Sequence, residues 1–256
     1  MPAPDPSSYS SDTLLAGRIR LIQRARGHRA GTDAVLLATA LAPPRGECIA
    51  DFGAGTGAVG LMAMRDAVDS RLVMIERERE LADLCRLNTL ANGRAGDTLV
   101  VSADILGGPV LAHAVIDRVY TNPPFFEARE TPVSPEPGRA SAHVTEAGGQ
   151  AAWLAAAIRC LRPRGRLALI QRADRLDSCL AGLVPRKGAM MGAIVVTPIL
   201  PHADAPATRI LITSIKGART PLKINPPLVL HGADGRFTAQ AEALHRGDAA
   251  VFGWAS

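Results

Sequence analysis

Nothing in the 256 residues is apolar for long enough to span a bilayer, so no membrane helix is expected. The opening Met1-Pro-Ala-Pro-Asp-Pro-Ser-Ser lacks both a basic start and an apolar core. It is therefore no signal peptide and reads as a flexible leader. Cysteine is scarce: Cys48, Cys85, Cys160 and Cys179 stand apart, with no Cys-x-x-Cys pair. Dispersed thiols of this kind argue for reduced, buried side chains in a cytoplasmic protein. Neither they nor the six scattered histidines show zinc-ligand spacing, so no metal site is expected. No internal repeat is visible.

Acidic residues are missing from one stretch, Thr13 to Thr32, where Arg18, Arg20, Arg24, Arg26 and Arg29 crowd together. A formal charge of +5 and an isoelectric point near 9.4 permit a polyanionic partner. Two readings of these arginines stay open: contacts to an RNA backbone, or the solvated face of a hairpin. The rest is an ordinary globular composition, 47% hydrophobic and 21% charged, with ample core. Length fits one α/β domain over residues 31–256, preceded by a leader and a hairpin or strand extension over 1–30. A monomer and a homodimer are equally compatible with it.

Leu14-Leu-Ala-Gly-Arg-Ile-Arg-Leu-Ile-Gln23 alternates apolar and polar residues over its latter part, as a strand or short hairpin does. Gly31-Thr32-Asp33 opens a helix from Ala34 to Leu41, stopped by Pro43-Pro44. Beyond it, strands are expected at Cys48–Asp51, Arg71–Glu76, Thr98–Val101, Val115–Tyr120 and Gly165–Ile170. Helices are expected at Ala58–Ala67, Arg77–Leu90, Gln150–Leu161 and Leu176–Val184. Ala193–Val196 and Thr208–Ile215 close the series as a hairpin around Pro201-His202. Such alternation predicts an α/β fold with a doubly wound, mostly parallel sheet and right-handed crossovers. From Phe126 to Gly149 the chain is Pro-, Gly- and Ser-rich, and a loop of that size is usually functional or disordered.

Asp51-Phe-Gly53-Ala54-Gly55-Thr-Gly57 joins the first of these strands to its helix, the nucleotide-handling start of a doubly wound sheet. Its glycines let backbone approach a ligand closely. Read loosely, Gly53-x-Gly55-x-x-Ala58 with Glu76 further on also fits a dinucleotide fingerprint. The loop alone thus leaves NAD(P) and S-adenosyl-L-methionine open. Asp51 favours the second, because a carboxylate beside the turn repels a pyrophosphate and attracts a cationic amino-acid moiety. Glu76 is then placed for ribose hydroxyls, and Asp104 with Ile105 frames an adenine. Taken alone, Asp104, Thr32 or Asp33 fits a helix N-cap equally well, and Ile105 fits plain core.

The most chemistry lies in Asp117-Arg-Val-Tyr-Thr-Asn122-Pro123-Pro124-Phe125. Two prolines, each without an N–H, end the strand abruptly and push Asn122 into an extended conformation. A side-chain amide, bare carbonyls and an aromatic face are thereby presented together. That set is rich in acceptors and suits a substrate amino group. Asn225-Pro226-Pro227-Leu228 repeats the tripeptide without the aromatic, so Asn-Pro-Pro by itself is also ordinary turn chemistry.

With these residues in place, the chain resembles the Rossmann-like S-adenosylmethionine-dependent methyltransferases, and within them the bacterial tRNA1(Val) adenine-37 N6-methyltransferase group. The resemblance rests on Gly27-His-Arg-Ala-Gly31-Thr32-Asp33-Ala-Val-Leu-Leu37, Asp51 to Gly57, Asn122 to Phe125, Arg209-Ile-Leu-Ile and Pro227-Leu-Val-Leu-His231. It weakens from Glu127 to Ala147. It implies a seven-stranded sheet with one antiparallel strand. It implies a cofactor site of Thr32, Asp33, Asp51, Gly53, Ala54, Gly55, Gly57, Glu76, Asp104, Ile105 and Asn122. It also implies that Asn122 and the Pro123 carbonyl accept the hydrogens of an adenine amine while Pro124 shapes the turn and Phe125 stacks on the base, with tRNA as partner. A protein glutamine is an alternative substrate, as is a small-molecule hydroxyl with Asp117, His113 or His143 as base. An NAD(P)-dependent oxidoreductase and a non-enzymatic RNA-binding protein are the readings from other classes.

Overall fold

The computed structural model describes residues 8–27, 29–124, 146–184 and 190–251. Phe125, His143 and most of the Pro-rich stretch lie outside those residues. The chain opens with an antiparallel hairpin, β1 (Tyr9–Leu14) and β2 (Ile19–Arg24). The sequence pattern covers β2, whose Ile19, Leu21 and Gln23 are buried. By contrast β1, Tyr-Ser-Ser-Asp-Thr-Leu, is too polar to announce a strand and owes its conformation to pairing with β2. There follow α1 (Thr32–Thr39), β3 (Cys48–Phe52), α2 (Ala58–Ala63), β4 (Arg71–Glu76), α3 (Arg79–Ala91) and β5 (Thr98–Ser102). Then come β6 (Ile116–Thr121), α4 (Glu146–Cys160), β7 (Leu161–Arg172), α5 (Leu176–Leu183), β8 (Met191–Leu200) and β9 (Arg209–Lys216). Two short strands, β10 (Lys223–Ile224) and β11 (Leu228–Val229), and α6 (Ala239–Arg246) complete the described chain.

The sheet runs β5-β4-β3-β6-β7-β9-β8, parallel throughout except for β9, which is antiparallel to both neighbours. This is the seven-stranded arrangement expected. The sequence did not announce β10 and β11, two residues each, which pair in parallel with β8 and bring the sheet to nine strands. Alternate residues face opposite layers, as the period of a strand requires. Leu167 and Leu169 pack with Trp153, Leu154 and Ile158 of α4 and with Cys179 and Leu183 of α5. Ala168 and Ile170 face the other way, toward Leu36 and Leu37 of α1 and Leu244 of α6.

The hairpin is part of the packed body. Leu15, Ile19 and Leu21 are buried against Val35, Ala38, Leu61 and Met62 of and beside α1 and α2. Each such side chain stabilises the hairpin by about 1.5–3 kcal/mol, ample for a two-stranded unit that is marginal alone. The free margin of β2 is closed by side chains of α3. Asn88 accepts from the Ile22 N–H (2.6 Å) and donates to the Ile22 carbonyl (2.8 Å). One helical turn on, Asn92 repeats this pattern at Arg20 (2.9 and 2.7 Å). Strand order reverses between β3 and β6, so a crevice opens outside their carboxyl ends, where open α/β sheets bind ligands.

Candidate active site

Four strand ends meet at this crevice. The glycine turn follows β3, Glu76 ends β4, Asn122 follows β6, and Gln171 lies near the end of β7. Phe52 and Thr121 are paired in register, so Gly53 and Asn122 are the residues that immediately follow the ends of two adjacent strands. Backbone bonds hold the turn: Gly53 and Ala54 both donate to the Ile75 carbonyl (2.9 and 3.0 Å), and Gly57 to that of Ala54 (2.8 Å). Gly57 caps α2 in the left-handed region, φ 89°, and a Cβ there would lie 2.9 Å from the Cys85 sulfur. Gly53, φ 76°, lies against the Trp153 ring, 3.2 Å from where its Cβ would be. Trp153 itself is anchored through Nε1 to the Thr121 hydroxyl (2.9 Å), which donates in turn to the Phe52 carbonyl (2.9 Å).

Asp51 is only 2% exposed and lies beneath the turn, where its carboxylate accepts from the Gly60 N–H (2.9 Å). Burial pushes its pKa up to about 7; the Gly60 N–H pulls it down, and the charge of Glu76 adds to the rise. Its charge therefore reaches a ligand above the turn as field, not as direct contact. Glu76 braces the turn from the side: one oxygen accepts from the Gly55 N–H (2.8 Å), the other from that of Glu78 (2.8 Å). Each oxygen keeps a further lone pair for a hydroxyl. The thiol of Cys85 is raised by its burial and then by these two acids, which keeps it inert. All four cysteines are free; Cys85, Cys160 and Cys179 are buried and Cys48 half-buried.

The Asn122 side chain makes no hydrogen bond among the described residues. The second Asn-Pro-Pro behaves differently. Asn225 donates from its backbone to the Val196 carbonyl (2.9 Å) and from its amide to the Thr197 hydroxyl (3.1 Å), stitching the sheet edge. The same tripeptide is thus structural in one place and leaves its amide available in the other. Pro123 is buried, and its carbonyl accepts from Gln171 Nε2 (3.2 Å).

Other expected site residues sit around this centre. Ile105 is buried with Phe52, Ile75 and Trp153, while exposed Asp104 accepts from the Leu106 N–H (2.9 Å) in a turn, so it caps no helix. Neither Thr32 nor Asp33 is an N-cap; that position is Gly31. Asp33 instead pairs with Arg209 at the start of β9 (2.9 Å), tying α1 to that strand. Asp117, weighed as a base, stands at the amino end of β6 with its carboxylate on the Cys48 N–H (2.8 Å) and Arg162 (2.8 Å). His113 precedes that same end, so both lie across the sheet from Asn122. Trp153, Gln171 and Asn88, which also donates to the Thr56 carbonyl (2.9 Å), were not singled out by the sequence. The only signal was the Asn88/Asn92 spacing of one helical turn.

Residues 29–180, more than half of the chain, match the methyltransferase small domain family. The chain belongs to that family. It is an S-adenosyl-L-methionine-dependent methyltransferase. The methyltransferase is 28% identical over 242 residues to a Porphyromonas gingivalis protein named tRNA1(Val) (adenine(37)-N6)-methyltransferase, covering 90% of this chain and 92% of that one. A protein of the same name from Aeromonas hydrophila subsp. hydrophila is 26% identical, covering 82% of this chain and 85% of the relative. Among solved structures, a predicted O-methyltransferase from Agrobacterium tumefaciens, Atu636, matches with TM-score 0.70 at 27% identity, covering 86% and 98% of the two chains. The methyltransferase's own residues fit the cofactor. Acids beneath and beside the turn favour a cationic sulfonium over a pyrophosphate, and Gly55 leaves open space where a side chain would stand. Among the described residues no helix is long and apolar enough to cross a membrane, and no cluster of three metal-ligating side chains occurs.

Proposed function

We propose that this methyltransferase acts on the exocyclic N6 amine of an adenine in RNA, with tRNA as the substrate class. The observation that carries the proposal is the Asn122 amide, without a partner among the described residues, one strand from the glycine turn. The two relatives above, matched over most of their lengths, support tRNA as the substrate. When bound, S-adenosyl-L-methionine supplies a methyl group made electrophilic by its sulfonium. Gly53, Gly55, Glu76, Asp104 and Ile105 would hold it, with Asp51 supplying negative potential from below.

An adenine amine is a weak nucleophile because its lone pair is delocalised into the ring. Asn122 Oδ1 and the Pro123 carbonyl accept its two hydrogens and favour a pyramidal nitrogen. These acceptors also meet the positive charge that grows on nitrogen, so they act more on the transition state than on the ground state. Holding the amine in line supplies most of the remaining rate. The base must first leave its stack, at a cost of a few kcal/mol, which Phe125 offsets by stacking. Of the N-terminal arginines, Arg18 pairs with Asp248, Arg24 with Glu78 and Glu80, and Arg29 with Asp12. Arg20 and Arg26 are exposed and make no ion pair among the described residues, so they are the side chains assigned to RNA phosphates.

The test offers methyl-labelled cofactor with separate pools of tRNA, rRNA, protein and metabolites. Label in tRNA, recovered as N6-methyladenosine, is the expected result. Label confined to protein or metabolites refutes the reading. In the same assay Asn122→Ala lowers kcat by about 100-fold or more, with cofactor affinity retained.

A further inference from the structure

Pro123 and Pro124 carry no N–H, so β6 has nothing to donate toward β7 beyond Thr121, which pairs with Leu169. Gln171, two residues further along β7 and 3% exposed, bridges this gap with its side chain. Its Nε2 donates to the Pro123 carbonyl (3.2 Å), while its Oε1 accepts from the Arg172 N–H (2.9 Å). The second bond fixes the orientation of the first, because a flipped amide would set oxygen against the Pro123 carbonyl and NH2 against the Arg172 N–H. A carbonyl oxygen has two lone pairs, so one is held by Gln171 and one is left.

The geometry points to Gln171 as a positioning residue, whose amide aims the remaining lone pair of the Pro123 carbonyl at the substrate amino group. This rests on the proposed amine chemistry of the same site. Asn122 and Pro123 then act as two acceptors of unlike mobility: a side chain free to adjust, and a backbone carbonyl clamped from behind. The clamp makes the site select for an amino group presenting two hydrogens in a set direction.

Two variants test the inference. Gln171→Leu keeps the bulk and removes the donor. Gln171→Glu keeps the shape and donates only when protonated: the neutral acid gives its hydrogen to the Pro123 carbonyl, and the carboxylate presents lone pairs to it. A buried carboxyl titrates above its usual range, which brings the change within working pH. Among the described residues, the charged side chains next to this position on β7 and β9 are Arg172, paired with Asp174, and Arg209, paired with Asp33. All four are the same in wild type and in both variants, so a profile peculiar to Gln171→Glu is not theirs.

Expected for Gln171→Leu is a fall in kcat of about 10- to 100-fold at every pH, with the cofactor dissociation constant unchanged. For Gln171→Glu, kcat relative to wild type is low in alkali and recovers as pH falls. A Gln171→Glu ratio that stays flat with pH overturns the inference, and it decides even if Gln171→Leu does not fold. Wild-type kcat in both variants, with wild type methylating RNA adenine, overturns this inference alone. A wild type that labels no amine overturns the amine reading together with it.

Discussion

Asp51 makes stability depend on pH in a direction opposite to that of most carboxylates. Burial beneath the glycine turn holds its pKa at about 7, against an ordinary value of 3.8. Between those two values the folded chain binds more protons than the unfolded one, so stability falls as pH rises. The loss begins near the unfolded value and is complete above the folded one, about 4 kcal/mol in all. From pH 5 to pH 8 the same relation gives a loss of about 2.5 kcal/mol. The perturbation is Asp51→Asn, which keeps an oxygen for the Gly60 N–H and cannot titrate. Urea unfolding of the cofactor-free protein at both pH values gives four free energies. Subtraction removes groups common to both proteins, such as His245, whose burial and neighbour His231 lower its pKa and work in the opposite sense. Wild type should lose about 2.5 kcal/mol more than the variant. Parallel losses within about 0.5 kcal/mol would refute a desolvated Asp51 whose pKa is raised by burial.

Three further outcomes are expected. Gly57→Ala combines a left-handed backbone with a Cβ 2.9 Å from the Cys85 sulfur and 3.1 Å from that of Met74. It should cost about 2–5 kcal/mol in urea unfolding, and an unchanged midpoint would show that the turn relaxes freely. Asn88→Ala removes three hydrogen bonds, two on Ile22 and one on Thr56. A loss of about 3 kcal/mol is expected, accompanied by weaker cofactor binding in calorimetric titration. Replacing Arg20 and Arg26 together by Ala should lower the slope of log affinity for tRNA against log salt by about 1.5, while Arg24→Ala, already neutralised by two glutamates, leaves it almost unchanged.

Legibility tracked the range of the interactions. β4 could be placed to the residue because its pattern is local, and the glycine turn because its backbone geometry admits few other residues. The polar strand β1 and the two-residue β10 and β11 exist only through their partners, so no local pattern marks them. Asp51 was legible as an acid beside the glycine turn, but its depth was not, since burial depends on how α2 closes over it. Asn122 stood out through its prolines, whereas nothing around Gln171 announces a bond to a carbonyl 48 positions away. The pairing of the arginine cluster was not legible: the segment itself contains no acid, yet the fold brings Asp12, Glu78, Glu80 and Asp248 to three of its five members.

Amides of α3 and its C-cap occupy the backbone groups of Arg20 and Ile22 on the rim of β2, so a foreign strand meets a ladder already taken at those two residues. Asn88 also grips the glycine turn, which gives the arginine-bearing hairpin and the cofactor loop a common fastening. A tug on the hairpin by a docked polyanion would reach the loop through one side chain.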